Sequence, residues 1–218
     1  MAIPSTCALI SGGLDSAVLL RRLLGRGHVL PLYVRCGFVW EPAEMHWLRR
    51  LLRALRTPAL RSLRVVDLPA RPFYGPHWSL TGRRVPGAHS RDAAVYLPGR
   101  NALLLTAGAI VAARERASTV ALGVLRGNPF GDATPRFFST MSSALSQALG
   151  RNIRIIAPLR GMHKAQLICA DAAAPWALTF SCLNPRAGAH HCGRCNKCAE
   201  RRRAFRLAGI TDPTRYAR

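Results

Sequence analysis

Ile10-Ser11-Gly12-Gly13-Leu14-Asp15-Ser16 brings together the residue types needed to hold a phosphate. Gly12 and Gly13 allow close backbone approach to an anion, and the free N–H groups of a following helix would point at it. Ser11 and Ser16 add hydroxyl donors. Asp15 would repel a bare phosphate, so its presence implies Mg²⁺ or a structured water shell. The bland alternative is a serine-capped turn before an ordinary helix, with Asp15 favouring the positive helix end. An apolar strand before the turn (Cys7 to Ile10) and an apolar helix after it (from Ala17) favour nucleotide binding. No lysine follows the glycines, so this is not the phosphate loop of kinases and ATPases.

A second group lies toward the C-terminal end. Cys182, Cys192, Cys195 and Cys198 form C-x₉-C-G-x-C-x₂-C, in which Gly193 eases a tight turn and the thiols converge. Zinc is the natural occupant of such a tetrahedral set, in a structural role. Spacing alone leaves an iron–sulfur cluster open. Disulfides fit poorly with a chain showing no signal peptide. His190 and His191 adjoin the knuckle as substitute ligands, and Arg194 and Lys197 could neutralise the thiolates. Cys7, Cys36 and Cys169 read as small core residues.

Composition sets outer bounds. The 218 residues, 49% of them hydrophobic, suffice for one domain with a small appendage. Ala102 to Ala113 is too short to cross a bilayer and reads as a buried helix. A cytoplasmic enzyme is expected. The formal charge of +22 comes almost wholly from arginine, since Lys164 and Lys197 are the only lysines. The arginines are dispersed, Arg201-Arg202-Arg203 with Arg206 being the densest cluster. Nucleic-acid binding is therefore possible but not favoured over an anionic small substrate.

The elements that must position these groups alternate. Strands are predicted at residues 6–10, 29–34, 63–68, 120–124 and 153–156. Helices are predicted from 14 to about 26, 43 to 55, 101 to about 117, 135 to 149 and 164 to 172. The pattern implies an α/β fold, a parallel five-stranded sheet with helices on both faces, binding its ligand beyond the strands' carboxyl ends. Residues 1–178 would form the nucleotide-binding unit and 179–218 a metal-binding segment. Residues 69–99 break the alternation and read as a lid or a contact between two copies; a homodimer is expected. The tail from Asp212 reads as loosely held.

The glycine turn resembles that of the PP-loop family, the N-type ATP pyrophosphatases with an adenine nucleotide alpha hydrolase-like fold. With Pro98-Gly99-Arg100-Asn101, Gly123-Val124, Pro158-Leu159 with Lys164, and the cysteine knuckle in the same order, the whole chain resembles the 7-cyano-7-deazaguanine synthases. The resemblance implies a C–N ligase of queuosine precursor synthesis. ATP would adenylate the carboxylate of 7-carboxy-7-deazaguanine, ammonia would give the amide, and a second ATP would give the nitrile. It implies Ile10 to Ser16 and Lys164 around ATP, with Asp15, Arg100 and Lys164 catalytic and Asp15 placing Mg²⁺. Arg100, Asn101, Phe130 and Asp132 would contact the heterocycle, Phe130 by stacking and Asp132 through the guanine-like edge. Bland readings stand beside these: Asn101 as a helix cap, Lys164 as a solvated residue, and Asp132 as a cap of the next helix. The chain departs from the family pattern at Val34 to Trp40, at Leu125 to Asn128 and at His163. Two other functions remain open: a relative acting on another carboxylate or amine, and a tRNA-thiolating PP-loop enzyme using Cys36.

Overall fold

The computed structural model describes residues 5–217. The outermost ends of the two expected segments, residues 1–4 and 218, lie outside them. Five strands, β1 (Ser5–Leu9), β2 (His28–Arg35), β3 (Arg64–Asp67), β4 (Thr119–Leu122) and β5 (Arg154–Ile156), form one sheet in the order β3-β2-β1-β4-β5. Every pairing is parallel, with Leu9 opposite both Leu32 and Leu122. From β1 the chain winds outward to β2 and β3, then returns to lay β4 against the other side of β1. The order therefore reverses between β1 and β4, which opens a crevice at their carboxyl ends.

Helices cover both faces, as parallel strands require. Alternate residues of β1 sort the core into two layers. Cys7 and Leu9 face a layer with Leu105, Ala109 and Ala112 of α5 (Arg100–Arg114) and Phe138 and Leu145 of α6 (Pro135–Leu149). Ala8 and Ile10 face Ala17, Val18 and Leu20 of α1 (Leu14–Leu24) and Leu48 and Leu51 of α2 (Glu41–Ala54). Leu167 and Ile168 of α7 (Lys164–Ala170) and Phe205 of α8 (Asn196–Leu207) join this second layer. Gly108 lets α5 lie close on the sheet, because a Cβ there would come 3.1 Å from the Val120 side chain.

Several details correct the sequence reading. Residues 69–99 hold two one-turn helices, α3 (Arg71–Tyr74) and α4 (Trp78–Thr81), and a 3₁₀ turn at Asp92–Val95. Their residue types carry no long periodicity because each is a single turn. α5 is buried on one side only, leaving Ile110 45% exposed. Cys169 is exposed at the end of α7. α8 was hidden because its polar, arginine-rich stretch shows little amphipathic contrast. Arg201, part of the densest arginine cluster, is fully buried: it donates to the carbonyl of Trp176, the Thr179 hydroxyl and Asp212. The tail is fastened rather than loose. Tyr216 donates to Asp212 at 2.6 Å, and the Ala217 N–H bonds the His191 carbonyl. Among the described residues no helix is long and apolar enough to cross a membrane.

Candidate active site and metal centre

The glycine turn sits where β1 meets the crevice. Gly12 adopts φ +82°, a left-handed conformation, with its α-carbon side against Leu48 of α2: a Cβ would lie 3.1 Å from the Leu48 Cβ. Gly12 thus answers both a backbone need and a packing need. Gly13 is the N-cap of α1, and no side chain caps it. The two serines bond within the turn instead: the Ser11 N–H donates to Ser16 Oγ at 3.0 Å, and the hydroxyls lie 3.3 Å apart. The serine-capped alternative is therefore not what forms. The first-turn N–H groups of Leu14, Asp15 and Ser16 have no intrahelical acceptor and no capping side chain, which is the condition for anion binding.

These residues line a cleft of about 700 Å³, within the range of small-molecule sites. The cleft gathers Ile10, Ser11, Gly13 to Ser16, Arg100, Asn101, Phe130, His163 and Lys164. Gly123, just past β4, admits Asp15, whose Cβ would be 3.3 Å from a Cβ at that position. Lys164, the first residue of α7, reaches across to the turn. Its ammonium lies 3.6 Å from Asp15 Oδ2 and 2.7 Å from Glu200 Oε1. Lys197 holds the other Glu200 oxygen at 2.7 Å. Burial alone would lower the Lys164 pKa, but Asp15 and Glu200 outweigh it and hold the ammonium charged. Burial likewise opposes ionisation of Glu200, yet the two lysines bring it down to about 2. Asp15 is moved upward, by burial first, against the pull of Lys164. Its Oδ1 is buried and has no hydrogen-bond partner.

Arg100 is the first residue of α5, launched by Gly99 at φ +69°. Gly99, not Asn101, occupies the cap position. The Arg100 guanidinium lies 5.3 Å from the Phe38 ring, and its Nε is buried without a partner. The Asn101 N–H donates to Asp132 Oδ2 and its side-chain amide to the Asp132 carbonyl, both at 3.0 Å. This corrects the expected placing of Asp132. It does not line the cleft, and its carboxylate secures the start of α5; the following helix, α6, is capped by Thr134 instead. Phe130 does face the cleft, with its ring stacked on Tyr96 at 4.4 Å.

The four cysteines converge as their spacing predicts. The thiols of Cys182, Cys192, Cys195 and Cys198 are buried and lie within 4.8 Å of one another. Backbone N–H groups of Leu183, Asn184, Cys192 and Arg194 point at the sulfurs at 3.3–3.4 Å. Such donors favour thiolates, so the donor set fits a metal ion. His191 is not among the ligands, since its Nε2 accepts the Ser181 N–H at 2.9 Å. Lys197 turns to Glu200 rather than to the sulfurs. The segment is joined to the remainder through Phe180, whose N–H donates to the Gly12 carbonyl, and through Asn196, which bonds the carbonyls of Pro86 and Ser90.

Sequence reasoning missed Glu200, Glu44 and Tyr33. A helix start two residues before Cys198 would have brought Glu200 to notice as the i+3 partner of Lys197. Glu44 carried a weaker signal, a carboxylate on the apolar face of α2. Cys36 is buried, donates weakly to the Val34 carbonyl, and has its thiol pushed by burial up to about 11, which does not suit a sulfur-transfer nucleophile.

The crevice of the parallel sheet, the uncapped glycine turn and the four-thiol centre define a PP-loop type of nucleotide-binding α/β enzyme with a cysteine metal centre. A family profile described as "Queuosine biosynthesis protein QueC" matches residues 5–209. The chain belongs to that family. It is 32% identical over 226 positions to a 7-cyano-7-deazaguanine synthase of Brucella anthropi, covering 97% of this chain and 93% of the relative. A Rhizobium etli protein of the same name is 33% identical, with 97% and 91% covered. 7-Cyano-7-deazaguanine synthase 1 of Mesorhizobium japonicum is 40% identical over a shorter match, 61% of this chain and 60% of that protein. Among solved structures, the U34-tRNA thiolase NcsA of Methanococcus maripaludis with its [4Fe-4S] cluster superposes with a TM-score of 0.52. It is 11% identical, covering 79% of this chain and 57% of that one, and is a likeness of fold alone.

Proposed function

We propose that the protein is a C–N ligase that converts 7-carboxy-7-deazaguanine and ammonia, with ATP, to 7-cyano-7-deazaguanine through an adenylated intermediate. The observation that carries this reading is the meeting of an uncapped α1 start, Asp15 and Lys164 in one cleft of a chain belonging to the QueC family. A carboxylate oxygen is a poor leaving group, and adenylation makes it a good one. The site must therefore hold a triphosphate beside an anionic acceptor and stabilise charge growing on the α-phosphate.

The N–H groups after Gly12 and Gly13, with the Ser11 and Ser16 hydroxyls, hold phosphate oxygens. Lys164, kept charged by its carboxylates, neutralises the α-phosphate as pyrophosphate leaves. Asp15 fits as a ligand for Mg²⁺, because its buried Oδ1 has no protein partner. That ion, when bound, shields the phosphates from one another. Arg100 supplies a cation for the acceptor carboxylate, and Phe130 a face for the heterocycle. Asp132 and Asn101 act by fixing the start of α5. Zinc is the ion we assign to the four cysteines; with no open position it adds folding energy rather than chemistry. We take the enzyme to work as a cytoplasmic homodimer.

The test is incubation of purified protein with ATP, Mg²⁺, ammonium and 7-carboxy-7-deazaguanine, followed by mass spectrometry. AMP, the amide and the nitrile are expected. ADP as the nucleotide product overturns the α-phosphate mechanism, and AMP without nitrile identifies a different acceptor.

A further inference from the structure

Forming a nitrile from ammonia releases protons from nitrogen, and the cleft must accept them. Four carboxylates line it: Asp15, Glu44, Asp92 and Glu200. Asp15 faces Lys164, and Glu200 is clamped by two lysines. Asp92 is exposed on the 3₁₀ turn. Glu44 differs from all of these. It projects from the first turn of α2, is buried, and has no lysine or arginine within salt-bridge distance among the described residues. One oxygen, Oε2, accepts the Tyr33 hydroxyl at 2.6 Å. No protein donor among the described residues takes Oε1, and that oxygen is not sealed from the cleft. Glu44 stands one helical turn before Leu48, the residue on which Gly12 rests, so it belongs to the wall beside the glycine turn.

We propose that Glu44 is the general base that takes the nitrogen protons in this cleft. The inference rests on the synthase reading above. In the first transfer the ammonia nitrogen bonds the acyl carbon. The C–O bond to AMP breaks with its electron pair on the phosphate oxygen, and one N–H proton passes to the Glu44 carboxylate. In the second, adenylation of the amide oxygen leaves two N–H protons on a C=N double bond. The first passes to Glu44 and on to solvent, leaving the neutral imidate, and the second then passes to Glu44. The freed pair becomes the third C–N bond as the C–O bond to AMP breaks. Glu44 returns each proton to solvent between steps.

The groups acting on Glu44 are Tyr33 from β2, Arg100 from α5 and Glu41 from its own helix. Burial pushes its carboxyl up from 4.5 to about 7, against the Tyr33 hydrogen bond and the Arg100 charge. A base near the working pH is the effective one. His163 supplies the one imidazole among the described residues lining the cleft, and the test separates it from Glu44.

The experiment measures kcat for nitrile formation from about pH 6 to about pH 9, together with acceptor-dependent ATP–pyrophosphate exchange. The wild type is expected to gain rate with pH through a limb near 7. Glu44→Gln loses the limb and about 10²-fold or more in kcat, while exchange stays within about twofold. Tyr33→Phe, lacking the donor that favours the charged carboxylate, moves the limb upward. Glu44→Gln with an unchanged limb and kcat overturns the proposal, as does loss of the limb in His163→Gln instead. Parallel loss of exchange and folding in Glu44→Gln, with no limb shift in Tyr33→Phe, assigns Glu44 a structural role and also overturns it. A wild type that adenylates but joins no nitrogen overturns the synthase reading and this base with it. A wild type that makes nitrile equally well with Glu44→Gln overturns the base alone.

Discussion

The Lys164 ammonium lies 2.7 Å from Glu200 Oε1, and this pair joins the cysteine centre to the glycine turn. Glu200 follows Cys198 by two residues on α8, a helix whose N-cap is Cys195. The lysine that faces Asp15 is therefore held from a helix whose start carries Cys195 and Cys198, two of the four clustered thiols. One carboxylate thus ties the cysteine cluster to the turn proposed to hold phosphate.

Glu200→Gln should release Lys164 without emptying the centre. Acceptor-dependent pyrophosphate exchange is expected to slow about tenfold, the effect of one charge-assisted hydrogen bond. Metal content, measured by elemental analysis, should stay at the wild-type level.

Asp15→Asn keeps the size and removes the charge at Oδ1. AMP release is expected to fall by about 10²-fold or more. Far-ultraviolet circular dichroism should be unchanged, because Asp15 is a cleft residue rather than a core one.

Cys195→Ser should lose bound metal and stability together. Midpoint temperature is expected to fall by roughly 10 °C, as the centre ties Cys182 and Cys192 to α8. Chelation of the wild type should produce the same shift, and re-addition of Zn²⁺ should reverse it.

Arg201→Ala empties a fully buried site, breaks the ion pair to Asp212, which keeps its Tyr216 and Thr214 donors, and removes donors from the Trp176 carbonyl and the Thr179 hydroxyl. The expected cost is about 3–5 kcal/mol, read by urea denaturation of the metal-loaded protein.

Stability should also depend on pH through Glu44. The unfolded side chain ionises near 4.5, but the folded one only near 7. Its contribution is complete below 4.5, declines as pH rises through that window, and is level above 7. The decline amounts to roughly 3 kcal/mol, and Glu44→Gln should remove it from the pH profile of unfolding.

Residue order alone determined much of this protein. Alternating apolar runs specified five parallel strands, most clearly the three central ones, because a strand covered on both faces is largely apolar. Ser11 to Ser16 marked the glycine turn that starts α1, and the spacing of Cys182, Cys192, Cys195 and Cys198 marked the thiol cluster, because both are local motifs whose geometry follows from spacing. What the sequence could not decide depends on distant residues and on competition for partners. Asp132 sits near Phe130 in the chain, yet it goes to the Asn101 N–H of α5, since a helix start offers a carboxylate a free N–H and the positive end of the dipole. Arg201 is one of three consecutive arginines in the chain, and only the fold surrounds it with Asp212, Thr179 and Trp176. Glu44 and Glu200 acquire meaning only when α2, α7 and α8 converge on the end of β1. That convergence is set by packing across the sheet, and burial and neighbouring charge, which no linear pattern records, then decide which of these carboxylates can accept a proton.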